Sequence, residues 1–346
     1  MNFIEKLPDE IILKIFKELK FEELGQCAQV CKKFRHISQD ESLWQKINLY
    51  EKKVTPEFIA HILKQKTKYL NLFCAKIPKP CEELQSDYFP KKNQLKYLNL
   101  GFSTAQEEFL KYLTSTSSSL EKLSLAWLDI DLEFLEGLVQ NSLTLKVLHL
   151  FDCNGLDLIS IKIITSTFDQ LTELNLGQTK LSRESIVYLC SNLTENLEKL
   201  SLENIKVINE DIRTLLPRCC KLSELDLNYT SITNQTVPII IENLSKTLVK
   251  LSLPYEIDDL SKLMELKRMS KLKYLWLERY RVPSVKKDTL KKSLEKLTKE
   301  DFVLPIQIRY LNQKKAFGKF HVIKLTFEKK NTLIGIEFNE GGLHIA

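Results

Sequence analysis

The sequence predicts an α/β fold: a helical head, a repeat solenoid with a parallel sheet and helices on the opposite side, and a tail that leaves the repeat. Three observations predict it: a recurring six-residue phrase, helical periodicity between its copies, and a change of pattern at both ends. The phrase occurs at Leu95–Leu100, Leu120–Leu125, Leu145–Leu150, Leu171–Leu176, Leu197–Leu202, Leu222–Leu227, Leu248–Leu253 and Leu272–Leu277. Successive copies start 25, 25, 26, 26, 25, 26 and 24 residues apart, a period at which one strand–helix unit stacks on the next. A weaker ninth copy, Thr67–Leu72, precedes them.

Residues 1–48 lack the phrase. Apolar residues at helical spacing predict three helices, Asp9–Leu19, Phe21–Cys31 and Phe34–Ile47. The apolar face is too wide for three short helices to bury among themselves, so a partner surface is expected. Leu7-Pro8-Asp9-Glu10-Ile11-Ile12, then Ile15-Phe16-Lys17-Glu18-Leu19, then Leu24 through Phe34 with Val30-Cys31, then Asp40 through Ile47 with Leu43-Trp44 follow one another in order. This stretch resembles the F-box motif, with Phe34 where that family often has tryptophan. The resemblance implies docking on the small adaptor of SCF-type cullin–RING ubiquitin ligases, and through it on the cullin and RING subunits. It assigns the docking surface to Leu7, Pro8, Ile11, Ile15, Leu19, Val30 and Leu43. Pro8 suits the first turn of a helix, where its missing N–H costs nothing. Trp44 is expected to pack on the first repeats.

Residues 49–280 form the repeats, about nine of them. In Leu197–Leu222 the phrase turns Leu200 and Leu202 inward while Lys199, Ser201 and Glu203 alternate outward. Ile205 and Val207 return to the core, Asn209-Glu210-Asp211 opens a helix, and Ile212, Leu215 and Leu216 form its apolar stripe. Thr104-Ala105-Gln106-Glu107 reads as a capping box ahead of Phe109 and Leu110. Cys153 stands three residues after a last leucine, with Ser103, Thr179 and Thr230 at the same place elsewhere. The pattern resembles the cysteine type of leucine-rich repeat, which implies a horseshoe with a concave sheet. An F-box followed by such repeats resembles the substrate receptors of the same ligase class, with a protein substrate on the repeats.

On the outward strand positions the candidate substrate contacts are His149, Phe151, Glu173, Glu203, Glu224, Asp226, Tyr274 and Trp276. The four acids lie on neighbouring strands. They are either a solvated face or an acidic patch that steers a basic segment of the partner. Tyr274 and Trp276 either lie beneath the tail or anchor that partner.

The tail, 281–346, reads as a basic C-terminal cap that alternatively folds back on the acidic face. Lys286–Lys299 suggests a basic helix, and Ile306–Leu311, Phe320–Phe327 and Leu333–Phe338 alternate like strands. From Lys286 to Lys330 there are 13 Lys/Arg and 5 Asp/Glu, so against a total of +6 the rest of the chain is slightly acidic.

No apolar run is long enough to span a bilayer, and the N-terminus lacks the segments of a signal peptide. A cytoplasmic or nuclear protein with no membrane partner is expected. The 8 cysteines form no CxxC pair and no histidine cluster completes a zinc site, so reduced thiols and no metal are expected. The 5 histidines join no catalytic constellation, and no Walker loop, GxGxxG or HExxH is present. The expectation is a non-catalytic receptor subunit with no cofactor and no nucleic-acid partner. A ligase-independent leucine-rich-repeat scaffold or inhibitor is the alternative.

Overall fold

The computed structural model describes residues 7–78, 90–254, 256–257 and 259–278, with three short strands at 306–309, 322–324 and 337–338. The chain divides into two compact units, Met1–His149 and Leu150–Ala346.

The first unit begins with α1 (Asp9–Lys17), α2 (Phe21–Val30), α3 (Lys32–Ser38) and α4 (Glu41–Trp44). The third helix expected from the sequence is therefore two short helices. Asp40 breaks it: its carboxylate accepts from the Ser42 N–H at 2.9 Å and starts a new turn. The expected helix also ends in extended backbone, because Lys46–Asn48 is strand β1. Ile47 and Leu49 face inward as the phrase leucines do. After β1 come α5 (Pro56–Lys64), β2 (Tyr69–Asn71), β3 (Tyr97–Asn99), α6 (Glu107–Ser115), β4 (Lys122–Ser124), α7 (Leu132–Asn141) and β5 (Val147–His149). The five strands pair in parallel in chain order, with Ile47, Leu70, Leu98, Leu123 and Leu148 in register and buried.

Helix starts here are capped by short polar side chains. Asp131 accepts from the Phe134 N–H at 2.7 Å, and Thr55 from the Phe58 N–H at 3.3 Å. The capping box expected at Thr104 does not form. Helix α6 starts three residues later, at Glu107, and Gln106 stands at its cap without a side-chain bond.

The second unit holds α8 (Leu158–Thr167), β6 (Glu173–Asn175), α9 (Arg183–Asn192), β7 (Lys199–Ser201), α10 (Asn209–Leu215), β8 (Glu224–Asp226), α11 (Thr236–Leu244), β9 (Lys250–Leu253), α12 (Leu260–Glu265) and β10 (Tyr274–Glu278). Strands β6 to β10 pair in parallel in order. Leu200, Leu202, Ile205, Val207, Ile212, Leu215 and Leu216 are all buried, as the single-repeat reading requires. Asp211 also turns inward, where it accepts from the Ile208 N–H at 2.9 Å and pairs with both terminal nitrogens of Arg183 at 2.5 and 2.6 Å. That bidentate geometry ties α9 to α10. Burial pushes the Cys190 and Cys219 thiols up to about 12, so both remain protonated packing groups.

Three strands follow β10: β11 (Ile306–Arg309) pairs with it in parallel, and β12 (Val322–Lys324) and β13 (Glu337–Phe338) add antiparallel. They fall inside the three stretches whose alternation suggested strands. The basic stretch Lys286–Lys299 lies outside the described residues.

One turn recurs in both units. The second residue after the last leucine of the phrase has left-handed backbone at Glu51, Cys74, Phe102, Trp127, Asp152, Gln178, Asn204 and Tyr229, with φ between 52° and 65°. Such a conformation costs a side-chain-bearing residue about 1 kcal/mol. An N–H bond to the next repeat offsets it: Phe102 donates to the Ala126 carbonyl at 2.8 Å and Gln178 to that of Glu203 at 2.7 Å. Asn99, Asn175 and Asp226 hold the same turn from the other side, each accepting from the N–H two residues on at 2.9–3.0 Å.

Candidate functional site

The head has a buried core on one side of α1 and an exposed apolar stripe on the other. Ile12, Phe16, Leu24 and Ile37 form its core, and the Phe16 and Phe34 rings meet edge to face at 5.2 Å. On the other side of α1, Ile11 and Ile15 are 41% and 51% exposed, and Val30 at the end of α2 is 68% exposed. The four-residue spacing puts the two isoleucines on one stripe. Pro8 is exposed beside them, and its carbonyl accepts from the N–H groups of Ile11 and Ile12. The other three expected contacts divide differently. Leu7, Leu19 and Leu43 pack partly against the core, which leaves less of each side chain for a partner. Lys33 was not foreseen. From α3 its ammonium donates to the Leu7 carbonyl at 2.6 Å and lies 3.2 Å from the Asp9 carboxylate, fixing the entry to α1.

The head is joined to the first repeat by polar and aromatic contacts. The Trp44 indole N–H donates to the Ser38 carbonyl at 2.8 Å, its ring meets His61 of α5 edge to face at 5.6 Å, and its carbonyl accepts from the Thr67 hydroxyl at 2.7 Å. The Gln45 carbonyl accepts from the N–H groups of both Lys68 and Tyr69.

A profile described as F-box-like matches residues 4–50, the segment that forms α1 to β1. F-box/LRR-repeat protein 21 of Mus musculus is 26% identical over 220 residues, covering 57% of this chain and 51% of that protein. The chain carries an F-box-like segment followed by leucine-rich strand–helix repeats. It spans about half the length of the curated relative it matches. A solved yeast structure, described as Rad7 in complex with Elc1, is similar with a TM-score of 0.46 and 17% identity, covering 78% of this chain and 88% of that one.

On the repeats the expected acidic patch takes another form. Glu173, Lys199, Glu224 and Lys250 stand opposite one another on β6 to β9. The Lys199 ammonium is 3.3 Å from Glu173 and 3.7 Å from Glu224, and Lys250 is 3.0 Å from Glu224. Sign alternates along the row, so a patch of one sign is corrected to a ladder of ion pairs. Burial opposes the charge of Lys199, and the two carboxylates more than offset it, holding the group above its ordinary value. The remaining acids are engaged locally. Glu203 accepts from the Gln178 amide at 3.1 Å and Asp226 from the Asn228 N–H at 3.0 Å.

The other expected contacts are half-buried. Phe151 and Glu203 close over Gly177, where a β-carbon would stand 3.0 Å from the Phe151 ring and 3.2 Å from the Glu203 β-carbon. Tyr274 and Trp276 stack with centroids 5.7 Å apart and planes 18° off parallel. His149 ends β5 with its side chain half-buried.

A cluster of rings in the first unit escaped the sequence reading. Tyr50 stacks on Phe73 at 5.8 Å with planes 2° apart, Phe73 meets Trp127 edge-on at 5.8 Å, and Phe102 meets Trp127 edge-on at 6.0 Å. Tyr50 and Phe102 are 46% and 58% exposed. A hydrogen bond to the Glu51 carboxylate, helped by burial, holds the Tyr50 phenol above its ordinary value. Among the described residues no group of three or more His, Cys, Asp or Glu is placed to hold a metal, and no helix is long and apolar enough to cross a membrane.

Proposed function

We propose that this protein is the non-catalytic substrate-recognition subunit of an SCF-type ubiquitin ligase. The F-box docks on the adaptor, which carries the cullin and RING subunits, and the outward strand positions of the repeats bind a protein substrate. The observation that carries the reading is the split of α1 into a buried side, Ile12 and Phe16, and an exposed side, Ile11 and Ile15, inside the segment matched as F-box-like. An apolar stripe kept in water on a helix that already has a core is a surface made for a partner. The chain contributes proximity: it holds a substrate near the transferring subunits and raises its effective concentration there. Of the expected docking residues, Pro8, Ile11, Ile15 and Val30 are assigned the primary contact, with Leu7, Leu19 and Leu43 shaping it from beneath. The reading carries with it a cytoplasmic or nuclear location.

The test is affinity capture of the full chain from cells with degradation blocked, beside a chain carrying Ile11→Glu and Ile15→Glu. Both positions face water, so the substitutions spare the core. Adaptor and cullin in the first capture and their loss from the second are the expected result. Their absence from both overturns the reading in favour of a ligase-independent scaffold. A chain starting at residue 51 is a poorer control, because it also removes β1 and strips the edge of β2.

A further inference from the structure

The outward face of β1 to β4 combines rings with lysines that no carboxylate answers. In the strand register Lys46, Tyr69, Tyr97 and Lys122 stand side by side. The tyrosine rings are 6.5 Å apart, and the two lysines bracket them across three strand spacings, about 14 Å. Both lysines are exposed and neither has an ion-pair partner among the described residues. The next row holds Asn48, Asn71, Asn99 and Ser124 and again no acid. Beyond it lie Phe73 and Trp127. Glu51 at that rim is engaged by the Tyr50 hydroxyl, and Lys52 is drawn away to Glu22 at 3.1 Å.

The rings are held in place before any partner arrives. A β-carbon on Gly101 would stand 2.9 Å from the Phe73 ring, so the glycine lets that ring lie over the turn and reach Trp127. Phe102 and Trp127 stand at the left-handed turn position that recurs along the repeats, at φ 54° and 62°, and their rings meet edge-on. A fixed, partly exposed ring surface reduces the ordering cost of binding. Its electrostatic complement is negative.

We propose that this face docks an acidic segment of a partner protein, with carboxylates on Lys46 and Lys122 and aromatic or large apolar side chains against Phe73 and Trp127. As an account of which substrate is recognised it rests on the receptor reading above, and it moves the docking site and reverses the sign expected from the sequence. Tyr69 and Tyr97 form the floor between the lysines, and an extended segment running across the strands meets the lysines and the rings together.

The test titrates the full chain with a fluorescein-labelled peptide of alternating glutamate and phenylalanine, beside a version with lysine for glutamate. The acidic peptide is expected to bind about tenfold more tightly than the basic one, and to lose about tenfold on Lys46→Glu with Lys122→Glu and on raised salt. Trp127→Ala should weaken it independently of salt. Equal binding of both peptides, or an unchanged affinity in the lysine double variant, overturns the proposal. So does tighter binding of single-stranded oligothymidylate, the result expected of a nucleic-acid surface. Adaptor capture is read on the same lysine variant. Retained capture with lost peptide binding supports the docking site, and peptide binding by a chain that captures no adaptor leaves docking standing while the receptor reading falls.

Discussion

The rows Lys46–Tyr69–Tyr97–Lys122 and Glu173–Lys199–Glu224–Lys250 occupy the same place in the repeat and carry different chemistry. In the second unit each charge meets its opposite on the next strand, and the face satisfies itself. In the first, lysines flank rings and find no acid. The interior behind both rows is the same ladder of buried leucines. The repeat phrase therefore constrains only the inward positions, and the outward ones are free to be neutralised in one unit and left unanswered in the other.

The largest effect should come from the part the two units share. Leu123→Ala and Leu200→Ala each remove a buried core side chain and should each cost about 2–5 kcal/mol in urea denaturation. A large cost in one unit beside a small one in the other would break the claim of a common interior. An intermediate effect is expected from Gly101→Ala, which has no counterpart among the ion pairs. The new methyl presses on the Phe73 ring and stands 3.3 Å from the Ala126 carbonyl oxygen, so about 1 kcal/mol of stability and the near-ultraviolet dichroism of the ring cluster should be lost together. Unchanged dichroism would show that the ring does not depend on the glycine. The smallest effect belongs to the ladder. Lys199→Met should cost less than about 1 kcal/mol and lose even that in high salt. Because the folded-state value of Lys199 is raised, its contribution is complete below the ordinary lysine value of 10.5 and fades as pH rises through the folded one. A stability difference between wild type and Lys199→Met that grew with pH would contradict the pairing.

The fold was legible because leucine spacing is a one-dimensional signal: a strand phrase every 24 to 26 residues needs no neighbour to be recognised. Strand β1 was missed because Ile47 stands where the phrase has leucine and because helical spacing ran through it from Phe34. Thr104 misled for a local reason. A capping box depends on where the first turn begins, and here it begins at Glu107. The site was less legible than the fold. Glu173 and Glu224 read as a patch until the register set Lys199 between them. Phe102 and Trp127 lie in turns just past the phrase, where alternation has ended and sequence spacing no longer says which way a side chain points. The outward place of Ile11 and Ile15 was legible only through the F-box resemblance, since Ile12 and Phe16 are equally apolar in the sequence, and the inward turn of Leu7, Leu19 and Leu43 depends on how four helices meet.

Strand β1 belongs at once to the segment matched as F-box-like and to the sheet that carries the rings. With Trp44 wedged against α5 and Gln45 bonded to the start of β2, no flexible linker separates the two. Whatever grips α1 and whatever lies across β1 to β4 must turn as one piece, so the junction sets the reach from one to the other like the arm of a caliper, and a glycine inserted there would turn a fixed distance into a distribution of distances.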